Sequence, residues 1–116
     1  MFSLSLGKPK MPIHQHPEKP RKLKPEETMR RLAETFKVLG DISRIKLVYL
    51  LAGREMCVSS LAEQAGMSQS LASHQLRVLR SLELVKVRRE GKNSYYTLDD
   101  EHIEHLLEEG FNHVEE

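Results

Sequence analysis

Apolar side chains recur along this chain first at helical and then at strand spacing, and the change of period marks out its elements. From Pro25, a proline and two glutamates suit a first helical turn, Leu32, Phe36 and Leu39 follow at helical spacing, and Gly40 closes the segment. Asp41 can cap a second helix whose apolar positions Ile42, Ile45, Leu47, Val48, Leu50 and Leu51 are dense enough to make it the buried one, with Gly53 at its end. Ser59 or Ser60 then caps a short helix through Ala65, Gly66 allows a tight turn, and Ser68 caps a helix running to about Glu83. This is helix-turn-helix spacing. In the latter helix Ala72, Leu76 and Leu79 fall on the inward side, which turns Ser70, Ser73, His74 and Arg77 outward as a polar stripe.

Past that helix the period drops to two. Val85 and Val87 alternate with Lys86 and Arg88, Tyr95, Tyr96 and Leu98 form a return strand, and residues 90–93 supply the turn, with Gly91 and Asn93 tolerant of positive φ. A basic hairpin directly after a helix-turn-helix reads as a wing. Asp99 or Asp100 caps a last helix with Ile103, Leu106, Leu107 and Val114 on one side. The expected fold class is therefore mainly α (α+β), a winged helix-turn-helix in the order four helices, two strands, one helix. Residues 1–24 are Pro- and Lys-rich with little to bury, which predicts a flexible basic arm ahead of a single domain over 25–116.

Composition narrows the chemistry. The 116 residues suffice for one domain with a modest core, and no apolar run approaches the roughly 20 residues of a membrane span. The start MFSLSLGKPK lacks the basic, apolar, small-residue order of a signal peptide, so a cytoplasmic protein is expected. Cys57 is the one cysteine, which excludes an intrachain disulfide and any zinc site needing several thiolates from one chain; a metal site has to rest on His and carboxylates. No nucleophile, base and orienting group stand out as a set, so an enzyme is not expected. The net charge of +1 conceals a strong asymmetry: residues 1–31 hold eight Lys/Arg against three Glu, residues 68–92 hold six against two, and residues 99–116 hold eight Asp/Glu and no Lys/Arg. The basic segments suit a polyanion, and the acidic, His-bearing tail suits cations.

The stretches VLGDISRIKLVYLL, EMCVSSLA, SQSLASHQLRVLR, LVKVRREGKNSYYTL and DDEHIEHLLEEGFNHVEE, running from about Leu32 to the end, resemble the ArsR/SmtB family of metal-sensing winged-helix transcriptional repressors. The resemblance implies a homodimer with the first and last helices at its interface. It also implies repression at operator DNA, generally of genes for metal efflux or sequestration, until metal binds.

A helix about 10–12 Å across fits the major groove with its N-terminal residues nearest the base edges. Ser68, Gln69, Ser70, Ser73 and His74 are the candidates there, and Arg77 suits a phosphate or a guanine. Arg88, Arg89 and Lys92 on the wing suit phosphates or the adjacent minor groove. The bland alternative for the wing charges is a solvated face.

The last helix carries Asp100 and His102 near its start and His113 and Glu116 at its end. Eleven residues bring His113 back to within about 20° of His102 around the helix, but about 16 Å along it, far beyond the ~2.0 Å bonds of one zinc. One chain cannot close this site. Two antiparallel copies related by a two-fold axis can, giving two identical sites of two imidazoles and two carboxylates, donors that suit zinc without excluding cobalt or nickel. These four positions match the family pattern for the C-terminal helix site. Asp99 for Asp100, Glu115 or the terminal carboxylate for Glu116, and His105 as a substitute ligand remain open. The resemblance also implies a second site joining His14 or His16 of the arm to Cys57, although Ser60 stands where zinc-binding relatives have an acid; otherwise Cys57 is a small buried hydrophobe. Two rival readings use the same residues: a repressor of this family that senses no metal, acting constitutively or through Cys57 redox chemistry, and a metal-buffering protein.

Overall fold

The computed structural model describes residues 19–116, and most of the expected arm, with His14 and His16, lies outside them. Eight elements follow in order: α1 (Glu26–Leu39), α2 (Ile42–Leu51), β1 (Met56–Cys57), α3 (Val58–Ala65), α4 (Gln69–Ser81), β2 (Val85–Glu90), β3 (Asn93–Leu98) and α5 (Glu101–Glu115). This is the winged helix-turn-helix the residue pattern predicts, with one strand added. None of the helices among the described residues is long and apolar enough to cross a membrane.

The caps follow side-chain chemistry. Asp41 precedes α2 and accepts from the backbone N–H groups of Ser43 (3.1 Å) and Arg44 (3.2 Å), and the Ser68 hydroxyl accepts from Leu71 N (3.0 Å) at the start of α4. The Ser43 hydroxyl, which also donates to Asp41 Oδ2, and after it the backbone N–H groups of Arg44 and Ser43 hold the Asp41 carboxyl below the usual carboxylate pKa. Helix α3 departs from expectation: Cys57, not a serine, occupies its cap position, because the chain enters directly from β1 in extended geometry. Gly66 closes α3 at φ 71°, with Met67 N donating to Ala62 O (3.0 Å). Helix α4 ends two residues earlier than expected, in the same motif: Leu84 N donates to Leu79 O (3.0 Å), and Glu83 takes the left-handed conformation at φ 61°. A glycine would adopt that conformation without the Cβ clash that a glutamate incurs.

The core lies between α2, α3, α4 and the sheet. Leu47, Val48, Leu51, Leu61, Leu76, Leu79 and Val85 are fully buried, each contributing about 1.5–3 kcal/mol by leaving water. Ile42, expected among them, is exposed instead, since it sits at the first helical position after the cap. The added strand β1 pairs antiparallel with β3 (Met56 with Tyr96, Cys57 with Tyr95), so the sheet order is β1-β3-β2. It ties the start of α3 to the wing. Helices α1 and α5 are incompletely covered: Leu32 and Phe36 stay about half exposed (53% and 52%), Val114 is 73% exposed, and α5 has no fully buried residue. Ile103, Leu106 and Leu107 pack against the core, and Phe111 meets Tyr49 edge-on at 5.4 Å between ring centres.

Candidate nucleic-acid interface and metal-ligating helix

The polar face of α4 forms because its opposite side is held from within. Ala72, Leu76 and Leu79 are wholly buried, and with them goes Gln75, which the sequence reading missed. Its Oε1 accepts from Arg44 Nη1 (2.9 Å), and its Nε2 donates to Asp41 Oδ2 (3.2 Å) and Ser43 Oγ (2.6 Å). Arg44 also donates through Nε to Val38 O (2.6 Å), so one cluster joins the end of α1, the cap of α2 and the middle of α4. The signal was present: residue 75 shares the helical face of 72, 76 and 79. The cluster fixes the roll of α4, and with it the outward direction of its other face.

On that face Ser68, Gln69, Ser70, His74 and Arg77 are exposed and Ser73 is half-buried, gathered along the first turns of the helix. On the wing, Arg89 and Lys92 are exposed, and Arg89 Nη1 donates to Ser94 Oγ (3.1 Å). Arg88 is differently placed. Its Nε and Nη2 donate to both oxygens of Glu55 (3.1 and 2.8 Å), its Nη1 donates to Glu90 Oε1 (2.9 Å), and its guanidinium lies 4.8 Å from the centre of the Tyr95 ring. The two carboxylates hold the guanidinium pKa above its usual value, and Arg88 holds Glu55 below the ordinary carboxylate value. Nothing in the sequence points to Glu55 as this partner, since the pairing depends on the register of a two-residue strand.

On α5, Asp100 and His102 come together. Asp100 Oδ1 accepts from His102 N (2.9 Å) as the helix cap and lies 3.3 Å from His102 Nδ1, and both side chains reach solvent. Capping therefore sets a carboxylate beside an imidazole at the helix start. His113 and Glu116 lie at the far end of the same helix, also exposed. Among the described residues, no three His, Cys, Asp or Glu side chains of one chain converge as a metal site. The donors nevertheless fit a transition metal chemically: imidazole and carboxylate in equal number, two on each end of an exposed helix. His105 sits 4.0 Å from Glu101 on the same helix.

Cys57 is half-buried rather than buried, with its Sγ 3.3 Å from Ser59 Oγ and 3.5 Å from Ser60 Oγ. Hydrogen bonding with those two hydroxyls, Ser59 foremost, lowers the thiol pKa to about 7. The two serines expected to cap α3 thus serve the sulfur.

Comparison with known proteins places this geometry. The family model described as bacterial regulatory protein, arsR family, matches residues 41–87. The chain is 44% identical over 105 residues to a transcriptional repressor SmtB homolog of Synechocystis sp., covering 87% of this chain and 80% of that protein. It is 44% identical over 86 residues to a cadmium resistance transcriptional regulatory protein CadC homolog of Staphylococcus aureus, covering 73% and 71%. A homodimeric winged helix-turn-helix DNA-binding domain from Mycobacterium bovis, a possible ArsR-family regulator, superimposes with a TM-score of 0.64 at 34% identity, covering 69% of this chain and 74% of that one.

Proposed function

Because the chain belongs to the arsR family of bacterial regulatory proteins, and is a transcriptional regulator rather than an enzyme, we propose that it is a dimeric repressor that leaves operator DNA when zinc, cobalt or nickel binds α5. The observation that carries this reading is the split donor set: Asp100 and His102 adjoin at one end of an exposed helix, and His113 and Glu116 stand at the other. An antiparallel second copy brings the two ends together, and the half-exposed Leu32 and Phe36 of α1 with the uncovered side of α5 offer the apolar surface for that pairing. Residues 25–116 are then the working domain and residues 1–24 an appended basic arm. Operator DNA places the site of action in the cytoplasm.

Each copy contributes Ser68, Gln69, Ser70, Ser73, His74 and Arg77 to the major groove, and Arg89 and Lys92 to the backbone beside it. The bound metal would supply a fixed cross-link between the two α5 helices. Asp100 and His102 would hold one end of that link, and His113 and Glu116 of the partner subunit would hold the second. With eight acids in residues 99–116 of each copy, the unlinked tails repel one another. Release of DNA would follow if the four ligands met better in the DNA-free arrangement of the two α4 helices; operator affinity and metal affinity would then each fall by the same factor when the other site is filled.

A heterodimer of His102→Ala with His113→Ala tests the arrangement. Donors shared across the pair put both lesions in one site and leave the other whole, so one metal per dimer binds tightly and still drives release. Binding of no metal by the heterodimer rejects the shared site. Either homodimeric variant should lose both sites and keep operator binding. The second reading, a repressor without metal sensing that uses Cys57, draws support from the thiol pKa of about 7; it requires that metal and chelator leave operator affinity unchanged while oxidation alters it.

A further inference from the structure

We infer that Arg88 is a positioning residue that straps the wing to the helix-turn-helix, and that it does not contact DNA. The inference rests on the operator-binding reading only where DNA is the readout. Strand register lays out the strap. Cys57, Tyr95 and Arg88 form one row across the three strands, and Met56, Tyr96 and Val87 form the next. Met56 and Tyr96 are buried in the core, and successive strand residues face opposite ways, so the Arg88 row lies on the outer face of the sheet. From the edge strand β2, the Arg88 side chain crosses Tyr95 on the middle strand and grips both oxygens of Glu55 at the start of the opposite edge. Glu90 takes a third donor. One side chain thus spans the whole sheet through a two-pronged carboxylate pair and a cation–π contact.

Two consequences follow from this placement. β1 is only two residues long and Cys57 is the cap residue of α3, so whatever fastens Glu55 to the hairpin also fastens the wing to the first helix of the helix-turn-helix. The tilt of the hairpin decides where Arg89 and Lys92 meet the DNA backbone. Moreover, one guanidinium flanked by two carboxylates is a cluster of net negative charge, which opposes a phosphate instead of attracting it.

Two variants separate strap from contact. Glu55→Gln with Arg88→Gln leaves the net charge unchanged, and Arg88→Lys keeps the cation while losing the planar fork and the stack. All three ionic side chains are substantially exposed, so the fold should persist, with a thermal melt as the check. Hydrogen exchange of the β2–β3 backbone amides in the free protein should quicken in both variants. Affinity for a duplex selected by the wild-type chain from a randomised pool should fall by roughly two- to fivefold in both, the range of an exposed ion pair, at an unchanged slope against log salt. Unaltered exchange in both variants overturns the strap. So does a slope reduced by about one unit in the double variant together with full affinity in Arg88→Lys, the signature of a lost phosphate contact. A wild-type chain that selects no duplex defeats the operator reading instead, and the exchange measurement then decides the strap alone.

Discussion

Replacing Gln75 by Ala should destabilise the protein more than its position among the polar residues of the second helix of the helix-turn-helix suggests. The side chain makes three hydrogen bonds, to Arg44 Nη1, Asp41 Oδ2 and Ser43 Oγ, and is 7% exposed. Two of the three have a charged partner, worth about 1.5–3 kcal/mol each, and the third is worth about 0.5–1.5 kcal/mol. Asp41, Ser43 and Arg44 are only half-buried, so water recovers part of the loss, and each keeps another bond: Asp41 still caps α2, the Ser43 hydroxyl still donates to Asp41, and Arg44 still reaches Val38 O. With that recovery the expected cost is about 2–3 kcal/mol. Urea unfolding at one fixed protein concentration measures it, because the apparent stability of the proposed dimer depends on concentration. Gln75→Met separates bonding from volume: it fills the space without hydrogen bonds and should recover little. A loss under about 0.5 kcal/mol in Gln75→Ala, or full stability in Gln75→Met, refutes the assignment of this cluster as the anchor of α4.

Arg77→Ala should weaken operator binding and lower the slope of log affinity against log salt by about one unit if Arg77 meets a phosphate, with stability unchanged because the side chain is exposed; a salt titration by fluorescence anisotropy reads both. The Asp41 carboxyl is held below its ordinary value near 3.8 in the folded chain, so it binds its proton less readily folded than unfolded. Its stabilising effect is therefore full above the ordinary carboxylate range and is lost as the pH falls through the lowered value. Asp41→Asn, compared with wild type by unfolding across the acid range, should show a flatter acid limb; an identical limb contradicts the assignment.

Much of this protein was written in local pattern. Asp41 and Ser68 are caps because a short acceptor side chain precedes an apolar period, and Ala72, Leu76 and Leu79 are buried because they share one helical face. The hairpin, the left-handed Gly66 and the juxtaposition of Asp100 with His102 are likewise matters of a few neighbouring residues, which is why spacing sufficed to find them. What escaped the sequence depends on contacts between distant residues. β1 exists only because Met56 and Cys57 meet Tyr96 and Tyr95, and that pairing is what made Cys57, not Ser59 or Ser60, the cap position of α3. Arg88 reads as a basic wing residue until the same register brings Glu55 to it from 33 positions away. Gln75 reads as one more polar residue on a DNA-facing helix until Arg44, Asp41 and Ser43 surround it. A charge or an amide has no role fixed by its own neighbourhood, because the partner that neutralises or satisfies it is chosen by the packing of whole elements, and a hydrophobic period says which face turns inward but not which polar group waits there.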